Sequence, residues 1–468
     1  ADQLDALAEC SEEYSAGIAH ITTRQDVQFH YVDLLDTPML MRRLAEVGIT
    51  TKEACGNSVR NVTACPHSGA CGTEAFDVTP YAAAMTYFLL RHPDAQNFGR
   101  KFKISYSGCA DKPCALGRLH DLGAIAAVRT VNGEEKRGFA VYVGGGLGAV
   151  PHQARLFDEF VPAEEMLPLA QAIARVFAVH GEKQNRSRAR MKFLVEKMGI
   201  DAFREAVLAE RDRLPADPLH EQFRQDLDAF GDEPTRKPAT LDLDSSDLPD
   251  GFKLWYEMNT ERQKQSGYSE VTLFLPLGDL TAEQLRVVAA LARKYTPGTI
   301  RTTVGQNLVL RWVSGTDLPE LYSELRPQGL GWPLAGGMGD VTACPGTDSC
   351  KLGIASSRGL AGVLHRRALA EVTGNGASTA DASAARRDIS VKMSGCFNSC
   401  GQHHVANIGF FGTSKRTGGR VAPMFQIILG GTTEGNGEAY GLAAGKVSSH
   451  RAPAVVDKLT GLYDAEKQ

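Results

Sequence analysis

Val62-Thr63-Ala64-Cys65-Pro66 recurs letter for letter as Val341-Thr342-Ala343-Cys344-Pro345. Each copy places another cysteine six positions after its first, Cys71 and Cys350. Further on, Ser107-Gly108-Cys109 followed by Cys114 returns as Ser394-Gly395-Cys396 followed by Cys400. Upstream, Gln25-Asp26-Val27 has its counterpart in Gln306-Asn307-Leu308, and downstream VYVGGGLG (141–148) is answered by IILGG (427–431). The landmarks keep one order and a spacing of roughly 280 residues, which makes the chain a duplicated unit rather than a short-period solenoid.

Residues 214–251 separate the copies, carry five prolines and many acids, and show no sustained apolar period, so they read as a linker. VQFHYVDLL (27–35), VTLFLPL (271–277) and LVLRWV (308–313) have the β-branched and aromatic content of strands. LTAEQLRVVAALARKY (280–295) predicts a helix, with Thr281 in the cap position and Glu283 two residues later. AEEMLPLAQAIARVFAVHG (163–181) predicts another, ended by Gly181. Strands alternating with helices in both copies imply an α/β or α+β fold.

Composition narrows the function. The 468 residues hold 51 Lys plus Arg against 55 Asp plus Glu, a net charge of −4, with 43% hydrophobic and 23% charged residues. This is the balance of a globular protein with a large core, without the basic footprint of a nucleic-acid partner. No run is apolar and long enough for a membrane span. The start, ADQLDALAEC, lacks the basic-then-apolar order of a secretory signal, so a cytoplasmic location is expected. Ten cysteines are too sparse for a disulfide scaffold.

Their clustering points to a metal centre instead. Cys344-x5-Cys350 and Cys396-x3-Cys400 offer four soft thiolates from two short loops, which suits zinc or an iron–sulfur cluster. Structural zinc favours gaps of two to four residues within each pair, and the five-residue gap leaves room for a four-cysteine cubane. Gly346, Gly395 and Gly401 allow the tight turns such a centre needs.

CPGTDSC with SGCFNSCGQ closely resembles the signature of the siroheme-dependent nitrite and sulfite reductases, and the resemblance covers nearly the whole chain. TTRQDVQFH (22–30), SVRNV (58–62), RKFK (100–103), VYVGGGLG, NRSRAR (185–190) and TTVGQNL (302–308) look like family blocks in the family order. The resemblance implies two ferredoxin-like half-domains at 1–50 and 252–330, and two siroheme-type α/β domains at 51–213 and 331–468. It implies a 4Fe–4S cluster on Cys344, Cys350, Cys396 and Cys400, with Cys400 also the axial ligand of the siroheme iron. Family members carry a segment upstream of TTRQDVQFH that supplies another substrate-contacting arginine, and it is expected to be missing or replaced here.

A small oxyanion needs cations aimed at its oxygens, and the same groups can deliver protons as oxygen leaves. Arg60, Lys101 and Lys103 match the family's substrate-binding positions. Arg24 matches an arginine beside siroheme, with Gln25 next to it, and Asn398 lies within the cluster loop. Strand alternation would put Lys101 and Lys103 on one side; resembling sulfite reductases have Lys at the second position where plant-type nitrite reductases tend to have Asn, so the resemblance at Lys103 favours sulfite over nitrite. NRSRARMK (185–192) reads as a helix carrying Arg186, Arg188 and Arg190, cations that fit either siroheme carboxylates or a docking acidic ferredoxin. His403 and His404 follow the cluster loop and could titrate near neutrality or serve as hydrogen-bonding groups.

Cys65, Cys71, Cys109 and Cys114 remain in the first copy as packed relics or as holders of a second metal. Neither a flavin nor a nicotinamide fingerprint occurs, since VGGGLG lacks the full glycine order and its acidic partner. Electrons are therefore expected from a ferredoxin or a reductase subunit. The sequence thus favours six-electron reduction of sulfite to sulfide, then nitrite to ammonia. A non-catalytic iron–sulfur or tetrapyrrole relay subunit ranks below both, and a zinc-stabilised structural protein lowest.

Overall fold

The computed structural model describes all residues except 111, 113–114, 226–231, 374–385 and 467–468. Cys114 therefore lies outside the described residues, as does part of the stretch read as a linker. The chain forms two compact units, one made of Ala1–Ile49, Pro234–Thr432 and Ala439–Gln468, the other of Thr50–Glu233 and Thr433–Glu438. Strands are numbered in chain order.

Each unit holds one copy of the same five-stranded sheet. In the second unit it runs β3 (Thr63–Ala64), β4 (Ile104–Ser107), β5 (Leu122–Val131), β6 (Glu134–Val143) and β7 (Arg155–Pro162). In the first it runs β13 (Thr342–Ala343), β14 (Val391–Ser394), β15 (Ile408–Thr417), β16 (Arg420–Leu429) and β17 (Leu442–Ser448). Three parallel strands are followed by two antiparallel ones in both. The loops repeat as well. Gly144 and Gly145 N–H donate to the carbonyls of Asp121 and His120, and Gly430 and Gly431 N–H donate to those of Asn407 and Ala406.

The first unit adds two smaller sheets. One has the order β10-β1-β2, with β1 (Ile18–Ile21), β2 (Val27–Gln28) and β10 (Asp279–Thr281). The other has the order β11-β12-β9-β8, with β8 (Thr260–Arg262), β9 (Tyr268–Leu273), β11 (Arg301–Thr302) and β12 (Leu308–Ser314). Pairing of β1 with β10 joins residues far apart in sequence, Ile18 opposite Thr281. A shared core of Leu7, Ile21, Leu44, Trp255, Leu285 and Leu310 fuses the two ferredoxin-like segments into one packed body. Arg286 reaches Glu12, and Arg293 reaches Asp2 and Asp5, across the helices that carry them.

Helix Ala282–Tyr295 begins as read, with Thr281 as N-cap, but Gln284 rather than Glu283 closes the capping box. Its amide is in reach of the Thr281 backbone N–H, as position N3 requires. Helix Met166–His180 buries eleven of its fifteen residues and ends at Gly181. Two readings need correction. The strand expected over 27–35 stops at Gln28: the Asp33 carboxylate accepts the Leu35 N–H at 2.8 Å, and Pro38 opens helix Thr37–Glu46. The segment read as a linker begins with a two-turn helix, Pro218–Gln225, whose His220 bonds Gln171. After Pro234 it runs along the first unit, with Thr235 and Arg236 donating to the carbonyls of Thr296 and Lys294.

One buried charge has a consequence for stability. Lys392 on β14 donates to Thr342 at 3.0 Å, and burial pushes its pKa down to about 8, with nearby Asp340 opposing. The folded state therefore gives up the amine's proton above about pH 8, whereas the unfolded chain holds it up to the ordinary lysine value. Between those limits the unfolded state binds more protons, so this lysine makes stability rise with pH. The denaturant-derived stability difference between wild type and Lys392→Met is expected to move in favour of wild type by about 3 kcal/mol from pH 7.5 to 10.5. A difference that stays flat would refute this account.

Candidate active site

Strands β13 and β14 are parallel neighbours, so their C-terminal ends release two loops side by side, one starting at Cys344 and the other at Cys396. The Cys344 N–H bonds the Met393 carbonyl, and the Gly395 N–H donates to the Cys344 sulfur at 3.1 Å. Asn398 places its backbone N–H and side-chain amide against the Cys396 sulfur. Burial pushes the Cys396 thiol up, and these donors pull the other way. N–H groups aimed at sulfur are what a ligating thiolate uses to spread its charge. Cys396 is buried, Cys344 half-buried, and Cys350 and Cys400 are exposed.

The glycines of these loops are sterically required. A Cβ on Gly395 would lie 2.5 Å from the Gly346 Cα, and one on Gly401 would collide with the Met393 carbonyl. Ser399 and Gln402 bracket Cys400 in left-handed backbone (φ 58° and 60°). The Ser399 hydroxyl, the Gln402 side-chain amide oxygen Oε1 and both ring nitrogens of His403 are buried without a hydrogen-bond partner. Such orphaned groups demand a polar companion, and a large polar cofactor beside Cys400 fits them. Among the described residues, no three His, Cys, Asp or Glu side chains converge closely enough to hold a single ion. Thiolates spread over the separate irons of a cluster do not need that convergence.

The first copy presents the same loops differently. Its backbone bonds repeat, Cys65 N–H to the Tyr106 carbonyl and Cys71 N–H to His67. Here the Cys71 and Cys109 thiols hydrogen-bond each other, which together with burial holds Cys71 well above the ordinary thiol range. Cys71 also contacts Thr73 at 3.2 Å, and Cys65, Cys71 and Cys109 are at most 5% exposed. The three described thiols are packed into the interior of the second unit.

Arg24 and Gln25 sit at the tip of the β1–β2 hairpin, where Gln25 takes a left-handed φ of 60°. The β11–β12 tip repeats the turn with Gln306 at φ 70°. Thr23 donates to the Cys400 carbonyl at 2.8 Å, so this tip rests on the cysteine loop. Gln25 itself donates to the Thr302 carbonyl at 2.7 Å.

In the second unit, Phe102 forms a parallel bridge with Val59, and the Arg60 N–H bonds the Phe102 carbonyl at 2.8 Å. Phe102 and Val59 turn into the core, so the pleat gives Arg60, Lys101 and Lys103 the opposite face together. Arg60 holds the carbonyls of Ala54 and Gly56 with its two terminal nitrogens, while its buried Nε lacks a partner, as does the Ser58 hydroxyl on the same face. Lys103 sits just before β4, its backbone N–H bonded to Asp121 Oδ2 at 2.9 Å.

A family description for the nitrite and sulphite reductase 4Fe-4S domain matches residues 55–214, and one for the nitrite/sulfite reductase ferredoxin-like half domain matches 1–47 and 261–328. A sulfite reductase [ferredoxin] of Mycolicibacterium paratuberculosis is 30% identical over 99% of this chain and 77% of its own. The chain belongs to the nitrite and sulfite reductase family.

An assimilatory ferredoxin-dependent nitrite reductase of Haloferax mediterranei is also 30% identical, over 92% of this chain and 71% of its own. The solved Mycobacterium tuberculosis NirA protein superposes with a TM-score of 0.78 at 28% identity, over 98% of this chain and 77% of that one. This reductase is therefore an oxidoreductase that works with siroheme and a 4Fe–4S cluster. Among its described residues no helix is long and apolar enough to cross a membrane.

Two readings of the reductase's cations change. Residues 185–190 are not helical: the Asn185 side chain accepts from the Ser187 N–H and hydroxyl, closing a turn, and the helix starts only at Met191. Arg190 is engaged by Asp121, 2.8 Å away and fully buried, whereas Arg186 is exposed and its carbonyl accepts from Arg100. Nor does His403 titrate near neutrality. It is fully buried, stacks on Phe411 at 4.8 Å, and burial, followed by His404, pushes its pKa well down.

Sequence reasoning missed three residues. Asp121 ties the Lys103 backbone to Arg190 from 18 and 69 positions away, and a lone Asp gives no local signal of that. Lys192 buries its ammonium against the carbonyls of Leu147 and Val150, bracing the Gly-rich loop, and burial pushes it down to about 8. Arg100 is pushed down by burial and by the positive charges of Arg186, Arg190 and Arg60. Its membership of a basic block was the available clue.

Proposed function

We propose that this reductase carries out the six-electron reduction of sulfite to sulfide. The common face shared by Arg60, Lys101 and Lys103 supports that reading most directly. Arg60, already oriented by two carbonyls, grips the oxyanion. The two ammonium groups neutralise charge and deliver protons as each oxygen departs as water. Siroheme and the cluster, when bound, supply the iron and the electrons. Cys344, Cys350, Cys396 and Cys400 would hold the cluster, Cys400 would also serve the siroheme iron, and Asn398 would support Cys396. Arg24, Gln25 and Arg186 face cofactor or partner charges. The accompanying domain division is 1–50, 51–213, 252–330 and 331–468.

Nitrite is the second reading, because the chain is equally similar to nitrite and sulfite reductases. Steady-state rates with reduced viologen and each anion test the choice. A higher kcat/KM for sulfite is expected, and a clear excess for nitrite would reverse the assignment.

The electron donor follows from the same reading as a ferredoxin, and the cytoplasm as the compartment, checked by cell fractionation. Arg186 is an exposed cation available for an acidic donor, as is Arg188, whereas Arg190 is engaged by Asp121. Arg186→Glu is expected to raise the apparent KM for reduced ferredoxin about threefold to tenfold at low salt, with viologen-supported kcat unchanged. An unchanged KM would remove this docking position.

A further inference from the structure

The second unit contains a cavity of about 430 Å³, in the size range of small-molecule sites. Its inner wall is apolar and aromatic, built from Tyr81 and Ala84 on helix Thr79–Leu89, Met166 and Leu167 on helix Met166–His180, and Tyr106 on β4. Alternation along the chain puts Phe102, Ile104 and Tyr106 on the sheet face opposite Lys101 and Lys103, so the cavity is separate from the oxyanion cations. None of its lining residues has a role in the reading above.

Three observations describe what it would hold. The Tyr106 side chain is fully buried, and its hydroxyl has no hydrogen-bond partner. Burial keeps that phenol protonated far above its usual range, so it is a standing donor. The walls around it are braced, with Tyr81, Tyr106 and Phe76 each packing edge-on against Phe139 at 5.3 Å between ring centroids. A cavity framed this way does not readily collapse onto its unpaired donor. At the mouth, Glu135 and Glu164 are matched by Lys136 and Arg137, so the entrance favours neither sign of charge.

We propose that this cavity binds a small neutral aromatic molecule carrying one hydrogen-bond acceptor, which the Tyr106 hydroxyl engages. The apolar wall takes the ring, the buried donor takes the acceptor, and the balanced mouth admits a molecule without net charge.

The test is equilibrium dialysis of the purified holoenzyme against 2-acetylnaphthalene and 2-ethylnaphthalene, alike in shape but differing in the carbonyl acceptor. Saturable binding of one molecule per chain is expected, with the ketone favoured about tenfold. Tyr106→Phe should erase that preference without weakening the hydrocarbon, and Ala84→Leu should weaken both. If Ala84→Leu fails to fold, the Tyr106→Phe comparison decides alone. Failure of both probes to saturate would mean that the cavity holds water only, and would overturn the proposal. So would equal affinity for the two probes, a preference that survives Tyr106→Phe, or binding untouched in a folded Ala84→Leu protein.

Discussion

Cys400→Ser is expected to lower viologen-supported sulfite turnover by on the order of a thousandfold or more, with a loss of protein-bound iron and acid-labile sulfide. The backbone of the loop around this position is set by neighbouring groups. Ser399 and Gln402 hold left-handed backbone on either side, Gly401 packs against the Met393 carbonyl, and Thr23 binds the Cys400 carbonyl rather than its sulfur. Serine therefore fits the site while replacing a soft sulfur with a hard oxygen, which iron–sulfur chemistry does not accept in its place. Because the fold is retained, loss of activity can be read as loss of a ligand rather than of structure. The matching control lies in the first copy. Cys109→Ser alters a thiol that pairs with Cys71, and is expected to leave iron content and turnover within about twofold and to cost about 1 kcal/mol of stability. If Cys400→Ser kept full iron and turnover while Cys109→Ser lost both, the cluster would have been assigned to the wrong copy.

Lys103→Asn is expected to move substrate preference toward nitrite, lowering the ratio of kcat/KM for sulfite to that for nitrite by about tenfold or more. The reason is charge. Near neutrality sulfite carries up to two negative charges and nitrite one, so removing a cation from the same distance costs the more highly charged anion about twice the Coulomb energy. The backbone here stays in place whatever the side chain, because Asp121 accepts the residue 103 N–H and the Leu122 N–H donates to the residue 103 carbonyl. The substitution thus removes a head group without moving the strand. A ratio unchanged within twofold would show that Lys103 does not discriminate between the anions.

Much of the site was legible in the sequence because its chemistry is local. Cys344 and Cys350 are six positions apart, Cys396 and Cys400 four, and the glycines between and beside them turn the chain within one loop. The repeated VTACP and SGC segments likewise announced two copies of one sheet, since each ends a parallel strand at the point where its loop begins. Where the reading failed, a nearby side chain or a distant one overruled pattern. The apolar run 27–35 looked like a strand until the Asp33 turn and Pro38 diverted it, and 185–190 looked helical until Asn185 closed its turn.

The sequence alone determined that this protein is a duplicated α/β reductase with a cysteine-held cluster, because ligand spacing and internal repetition are properties of consecutive residues. Only the tertiary structure decided that the Cys71 and Cys109 thiols pack against each other, that the Gly395 N–H meets the Cys344 sulfur, that Arg190 serves Asp121, and that β1 pairs with β10. Those outcomes depend on burial and on partners tens to hundreds of residues away, brought together by packing, and no local pattern encodes which distant group a side chain will meet.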